Sequence, residues 1–237
     1  MGKSINVKEM VGRKYKTLHD LQGAHGRKLS LEWLESIGLP SIGFSMLVWG
    51  PSGNGKTTFV MKLCKELNKF GQVYYNSVEQ GEGVSLQQVL NQCEMHECEH
   101  HPFMIGDRDN FEEMVEKLSN KRQKTRFAVI DSLQYIGLTV ERFKLLQEKL
   151  PHISFIIISH ATADNQPAGS HARTIRFMAE IKTKVLKGVA VSDSRFGATI
   201  PYRVMPWLNK EVEDAPKKKG KAKVDAQQLE LLPEENG

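Results

Sequence analysis

The amino-acid sequence predicts an α/β protein: a mostly parallel central sheet flanked by helices, finished by a C-terminal antiparallel β-hairpin. Three features point to it. Between residues 46 and 160, short apolar strand-like runs alternate with helix-competent segments, the pattern of successive βαβ units. Two of those runs, Phe127-Ala128-Val129-Ile130 and Phe155-Ile156-Ile157-Ile158, are almost continuously apolar, as strands covered on both faces are. From Glu180 the pattern changes, with Ile181, Thr183, Val185, Val189 and Val191 alternating with polar or charged residues. That alternation marks a half-exposed hairpin.

The elements follow in order. Residues 1–28 read as a polar lead-in, and a helical patch of Leu29, Trp33, Leu34 and Ile37 is closed by Gly38 and Pro40. Residues 46–49 form the first strand, followed by a helix after Lys56 that places Phe59, Val60, Leu63 and Leu67 on one face. Residues 72–78 read as a strand, Val84–Gln92 as a helix and 103–105 as a short strand. Asp109 and Glu112 resemble a capping box opening a helix to Leu118. A strand over 127–133, a helix over 140–150 stopped by Pro151, and a strand over Ser154–His160 complete the alternation. A loop over 161–173 leads to the hairpin, whose turn is Lys187-Gly188 and which residues 200–205 extend. The folded core is therefore assigned to residues 29–208. Residues 209–237, with Lys217-Lys218-Lys219-Gly220-Lys221, cannot bury a core and are expected to be disordered.

A chain of 237 residues has room for one such domain and not for two with linkers. Its 40% hydrophobic and 26% charged content is that of a globular protein in water. The longest apolar run, around Phe155 to Ile158, is far too short to cross a bilayer, so no membrane contact is expected. Lys3 and Lys8 are not followed by an apolar segment and a small-residue cleavage site, so no secretory signal is expected. Cys64, Cys93 and Cys98 are odd in number and unevenly spaced, which argues against a disulfide framework and for the cytoplasm. The net charge is +5, and because acids outnumber lysines in residues 209–237, the positive excess sits in the core. Such a field suits polyanions such as nucleic acid; a merely basic, solvated surface is the competing reading.

The chemistry starts at residues 50–57. Gly50-Pro51-Ser52-Gly53-Asn54-Gly55-Lys56-Thr57 fits G-x-x-x-x-G-K-[ST] between a strand and a helix that opens through Thr58. The glycines let backbone N–H groups and the helix N-terminus face the phosphates of a nucleoside triphosphate. Lys56 then reaches the β- and γ-phosphates, and the Thr57 hydroxyl ligates Mg²⁺. ATP and Mg²⁺ are the expected ligands. Asp131 closes a buried strand at its C-terminal edge, where open α/β sheets bind ligands, and can hold Mg²⁺ opposite Thr57. Capping of the following helix is its plainer role. Ser132 is expected to support the same site. Glu79 follows the second strand and is placed to orient and deprotonate an attacking water, with Glu82 as the competing base. His160 ends the strand over Ser154–His160, in reach of a γ-phosphate; a purely local hydrogen bond is its alternative.

Taken together, the phosphate loop, Glu79, Ile130-Asp131-Ser132, Ser159-His160 and the late Arg195-Phe196-Gly197 resemble the RecA-like ATPase core. The likeness is to its RadA- and DnaB-type branches and to short phage-type RecA-like proteins that assist single-strand annealing. It covers roughly residues 29–206. The resemblance implies Mg²⁺-dependent ATP hydrolysis by a homo-oligomeric ring or filament, with ATP at the interface. It further implies single-stranded DNA bound by loops after the last central strands, in recombination, repair or replication, within a bacterial or phage-infected cytoplasm. A KaiC-like ATP-gated switch without DNA stays open, as does a DnaB-type helicase motor. The same resemblance makes Arg195 an arginine finger acting across the interface. RadA-type proteins carry Lys-Asn-Arg-Phe-Gly at that point, whereas here Asp193 stands at the lysine position, with Lys182 or Lys184 as possible substitutes.

Three weaker signals complete the reading. Residues 161–173, with Gly169, His171 and Arg173, match the position where RecA-like proteins bind single strands. They lack an aromatic platform, so backbone electrostatics would dominate. Cys93, His96, Cys98 and His100 can bind metal, but their spacing fits no zinc pattern well, and a polar loop is the alternative. Gln228-Leu229-Glu230-Leu231-Leu232 resembles short peptides that dock on bacterial sliding clamps, set against a chance leucine cluster.

Overall fold

The structure, a computed structural model, describes residues 7, 16–21, 26–120 and 122–205. Eight strands form one sheet: β1 (Ser45–Gly50), β2 (Gln72–Ser77), β3 (Phe103–Asp107), β4 (Thr125–Asp131), β5 (Ser154–His160), β6 (Ile181–Leu186), β7 (Val189–Ser194) and β8 (Tyr202–Arg203). The helices are α1 (Leu31–Ile37), α2 (Lys56–Leu67), α3 (Val84–Gln92), α4 (Phe111–Ser119), α5 (Leu133–Ile136), α6 (Val140–Lys149) and α7 (Ser170–Met178). The strand order is β3-β2-β4-β5-β1-β6-β7-β8. The first six in that order are parallel, and β6-β7-β8 are antiparallel. The mostly parallel sheet with a C-terminal hairpin is the fold class read from the sequence.

The apolar runs explain the layers. Along β1 and β5 the pleat sends Met46, Val48, Ile156 and Ile158 to one face, against Phe59 and Leu63 of α2. It sends Leu47, Phe155 and Ile157 to the other, against Phe143, Leu146 and Ile175. Both faces are buried, so the central strands need no polar alternation. Strand order then builds the site. With β5 seated between β1 and β4, register pairs Gly50 with His160 and Ser77 with Asp131, which gathers the C-terminal ends of β1, β2, β4 and β5 on one edge.

The structure corrects four local expectations. The capping box of α4 lies one residue later than Asp109 and Glu112. Asn110 Oδ1 accepts from the Glu113 amide at 3.0 Å, and Glu113 Oε2 accepts from the Asn110 amide at 2.9 Å. Asp109 is instead drawn to β2, its amide donating to Asn76 Oδ1 at 3.2 Å and its buried carboxylate accepting from the Tyr74 hydroxyl and from Lys117. The strand expected over 127–133 ends at Asp131, and Leu133 opens α5. There the Val78 and Glu79 amides both donate to the Asp131 carbonyl, closing the β2–β4 pairing. The loop expected over 161–173 stops at Gly169, whose φ of 91° precedes α7, so His171 and Arg173 stand on a helix. Ala172, Ile175 and Ala179 are buried along one helical face of that segment, a period its polar residues hid. Finally, Leu18 and Leu21, inside the stretch read as a lead-in, are buried in the core.

The helical patch before β1 is α1. Trp33 stacks on Tyr202 with centroids 4.1 Å apart and meets Phe59 at 5.5 Å, fastening α1 to the last strand and to α2. Gly38 ends the helix at φ 77°, and a Cβ there would lie 2.0 Å from the Phe196 carbonyl oxygen. The tail over 209–237, with its leucine cluster, lies outside the described residues. Among the described residues, no helix is long and apolar enough to cross a membrane.

Candidate functional site

The phosphate loop joins β1 to α2. A Cβ on Gly50 would sit 2.0 Å from the Val185 carbonyl oxygen, so glycine is what admits β6 this close. Gly53 and Gly55 have φ of 73° and 94°, the left-handed region that turns the chain back onto the start of α2. The hairpin turn then braces the loop. Asn54 Oδ1 accepts from the Lys187 amide at 2.7 Å, and the Gly188 amide donates to the Asn54 carbonyl at 3.3 Å. Asn54 Nδ2 donates to the Ser52 carbonyl at 2.9 Å. Lys62 Nζ donates to the Val204 carbonyl at 3.0 Å, and Val204 donates to the Gly188 carbonyl, so the end of the described chain is part of the same brace.

Beneath the loop lies a cavity of about 210 Å³ whose lining includes Lys56, Thr57, Glu79, Asp131 and His160. Lys56 Nζ donates to the Pro51 carbonyl at 3.0 Å. Its burial pulls the ammonium pKa down, and the charges of Asp131 and Glu79 oppose that pull. Asp131 is buried. Burial pushes its carboxyl up, the Tyr75 hydroxyl that donates to it pulls the other way, and the charge of Glu79 raises it further. Tyr75, held well above the ordinary phenol range by burial and by Asp131, stays a donor. A buried carboxylate with a negative neighbour favours a cation. Thr57, from the first turn of α2, and Asp131, from the tip of β4, are the residues of this lining that suit Mg²⁺.

Two further side chains fit a hydrated, phosphate-bearing occupant. Gln80 Oε1 and Ser132 Oγ are buried in the lining, and neither has a hydrogen-bond partner among the described residues. Buried polar atoms of this kind normally carry a partner, so the cavity is built for a polar ligand.

Glu79 Oε2 lies 3.1 Å from His160 Nε2. The Glu79 amide donates to the Asp131 carbonyl at 3.0 Å, which fixes the residue at the cavity wall. Glu82, the competing base, is exposed, does not line the cavity and gives its amide to the Asp107 carboxylate at 3.1 Å. The His160 amide donates to Gln134 Oε1 at 3.3 Å, while Gln134 Nε2 donates to Ser159 Oγ at 2.8 Å and to the Ala168 carbonyl at 3.0 Å. Gln134 thus ties the tip of β5 to the segment that follows it. Neither Gln134 nor Tyr75 is singled out by the sequence. Tyr75 reads as one more apolar strand residue, and Gln134 belongs to a four-residue helix with no local signal.

The structure does not bring every site residue together. Thr58 still lines the cavity from α2, and its carbonyl accepts from Cys93 Sγ at 3.9 Å. Arg195 is exposed at the opposite end of the hairpin from the phosphate loop. It follows Ser194, which pairs with Ile181 at the start of β6, whereas the loop meets the turn at Lys187. Six strand residues separate those ends, roughly 20 Å. Asp193 pairs with Lys182 at 3.2 Å. Among the described residues, no group of three or more His, Cys, Asp or Glu is gathered as a metal site, and that includes Cys93, His96, Cys98 and His100.

Neither a protein-family model nor a curated protein matches the chain. Among solved structures the chain is similar to a prototypical ATPase from the type III secretion system of pathogenic bacteria. The identity is 14%, the TM-score 0.44, and the match covers 66% of this chain and 56% of that one. The chain spans just over half the length of that structure.

Proposed function

We propose that the chain is a RecA-like, Mg²⁺-dependent ATPase that acts on single-stranded DNA in recombination, repair or replication. The observation that carries the ATPase reading is one cavity walled by the phosphate loop, Lys56, Thr57, Asp131 and Glu79. In this reading the loop amides and the α2 N-terminus take the phosphates, and the Lys56 ammonium offsets charge on the β- and γ-oxygens. Thr57 and Asp131 would hold Mg²⁺, which would supply charge neutralisation for the phosphates. Glu79 takes the proton of the attacking water as its oxygen bonds to the γ-phosphorus and ADP departs. His160 keeps the Glu79 carboxylate at the wall, and Gln134 passes its position to the segment leading into α7.

The nucleic-acid reading has separate support. The positive excess of the core, the segment between β5 and α7, and Lys182, Lys184 and Lys187 on the hairpin suit a phosphodiester backbone. The distance of Arg195 from its own cavity favours a role in a neighbouring subunit's site, as an oligomer would require. Phosphate release from Mg-ATP, with and without a single-stranded oligonucleotide, tests both halves. Turnover stimulated by the oligonucleotide is the expected result. Turnover indifferent to it would leave an ATPase and remove the DNA reading.

A further inference from the structure

The outer face of the hairpin carries a trough that the ATPase cycle leaves unused. Register places Lys184 beside Val191 and Leu186 beside Val189, and Trp49 of β1 lies next to Lys184. These side chains wall a hollow of about 530 Å³ with an apolar floor and a lysine rim. Val191 is 53% and Leu186 37% exposed. Lys182 is paired with Asp193, but Lys184 and Lys187 have no ion pair among the described residues. Exposed apolar side chains grouped on one strand face and rimmed by lysines suit an apolar, acidic occupant.

The chain itself contains a complement. The sequence 228–235 reads Gln-Leu-Glu-Leu-Leu-Pro-Glu-Glu, leucines interleaved with acids. We propose that this segment docks in the trough of its own chain, Leu229, Leu231 and Leu232 against Val189, Val191 and Trp49, with Glu230, Glu234 and Glu235 on the lysine rim. Position supports an intramolecular occupant. The Met205 amide donates to the Gly188 carbonyl at 3.2 Å, so the described chain ends at the turn that borders the trough, on the phosphate-cavity side of the sheet. About 24 residues separate Met205 from Leu229, a span of up to about 80 Å at full extension, against roughly 20 Å for the trough. A tethered segment meets its site at an effective concentration in the millimolar range, so modest contacts suffice. A docked tail also covers Lys184 and Lys187 and would compete with a polyanion there, a consequence that rests on the DNA reading above.

Disulfide trapping in the full-length chain tests the docking without nucleic acid, so its outcome is independent of that reading. In a Cys98→Ser background, Val191→Cys is paired with Leu231→Cys. The control pairs Leu231→Cys with Val84→Cys, another exposed apolar position. The first pair should close as a monomer about tenfold faster than the control, as a local site on a tether requires. Adding Lys184→Glu with Lys187→Glu should remove that advantage, and adding Glu230→Lys with Glu234→Lys should restore it. Equal rates for the two pairs would overturn the proposal. So would a disulfide-linked dimer as the dominant product, which would make a second copy the occupant. Should the cysteine variants fold poorly, hydrogen exchange decides: Leu231→Glu with Leu232→Glu should expose the β7 amides, and unchanged protection would contradict docking.

Discussion

Glu79 Oε2 and His160 Nε2 lie 3.1 Å apart, joining the loop after β2 to the tip of β5 across the candidate phosphate cavity. The contact sets the direction of the carboxylate, and the Gln134 bridge sets the height of the imidazole. Glu79→Gln keeps the shape and the hydrogen bond but loses the proton acceptor. It should bind ATP normally and lose turnover by about 10²- to 10⁴-fold, the usual worth of a general base. His160→Ala should lower kcat by a smaller factor with little change in KM. Steady-state phosphate release checks both, and Glu82→Gln serves as the counter-test. A comparable loss in Glu82→Gln with none in Glu79→Gln would reverse the choice of base.

Asp131 links activity and stability with opposite signs. Its carboxyl is raised by burial, so in the window between the ordinary carboxylate range and its raised value the folded state holds more protons than the unfolded one. Stability therefore falls as pH climbs through that window, and the cost persists above it. Asp131→Asn removes the ionisation and keeps an acceptor for the Tyr75 hydroxyl. Without nucleotide or metal, the variant should melt about 2–4 °C above the parent at neutral pH, for a gain on the order of 1 kcal/mol. The difference should vanish below the ordinary carboxylate range. Turnover should be lost. Thermal melts at two pH values, beside a phosphate-release assay, read both signs.

The sequence made the sheet legible because its central strands are covered on both faces, and no polar partner blurs Phe127 to Ile130 or Phe155 to Ile158. The phosphate loop was legible because its chemistry is contiguous. The start of α7 was not, since Ser170, His171, Arg173 and Thr174 mask a short apolar face of Ala172, Ile175 and Ala179. The capping box slipped by one residue because Asp109 is claimed by a tertiary partner, Asn76, which a local reading cannot see. Tyr75 and Gln134 escaped for the same reason. Their roles come from strands and helices brought together by the sheet order, 56 residues from Tyr75 to Asp131 and 26 from Gln134 to His160.

Arg195, exposed and remote from its own phosphate loop, should act only between subunits. Arg195→Ala and Lys56→Ala chains should each be inactive alone. Mixed in equal amounts, they should regain a measurable fraction of wild-type turnover, because some interfaces then join an intact loop to an intact arginine. Co-assembly on a sizing column with no regain of activity would exclude the arginine from the reaction.

Binding of single-stranded DNA should be tolerant of sequence and steep in salt. Each phosphate neutralised adds about −0.7 to the slope of log affinity against log salt for a single strand. Arg173→Ala with Lys184→Ala should flatten the slope by about 1.4 and remove oligonucleotide stimulation, leaving ATP binding intact. Fluorescence anisotropy across a salt series measures this, and an unchanged slope would place the contacts elsewhere.

In the proposed reaction Lys56, Thr57, Asp131 and Glu79 surround a nucleoside triphosphate and promote its hydrolysis. Phosphate release from Mg-ATP, comparing the wild-type chain with Lys56→Ala, tests it most directly. Lys56 Nζ reaches only into the loop and its cavity, so its removal strips the phosphate charge partner and leaves the sheet untouched. Mg²⁺-dependent turnover in the wild type, abolished in Lys56→Ala together with weaker ATP binding, is the result this account predicts. A correctly folded Lys56→Ala chain that hydrolyses ATP at the wild-type rate would contradict it.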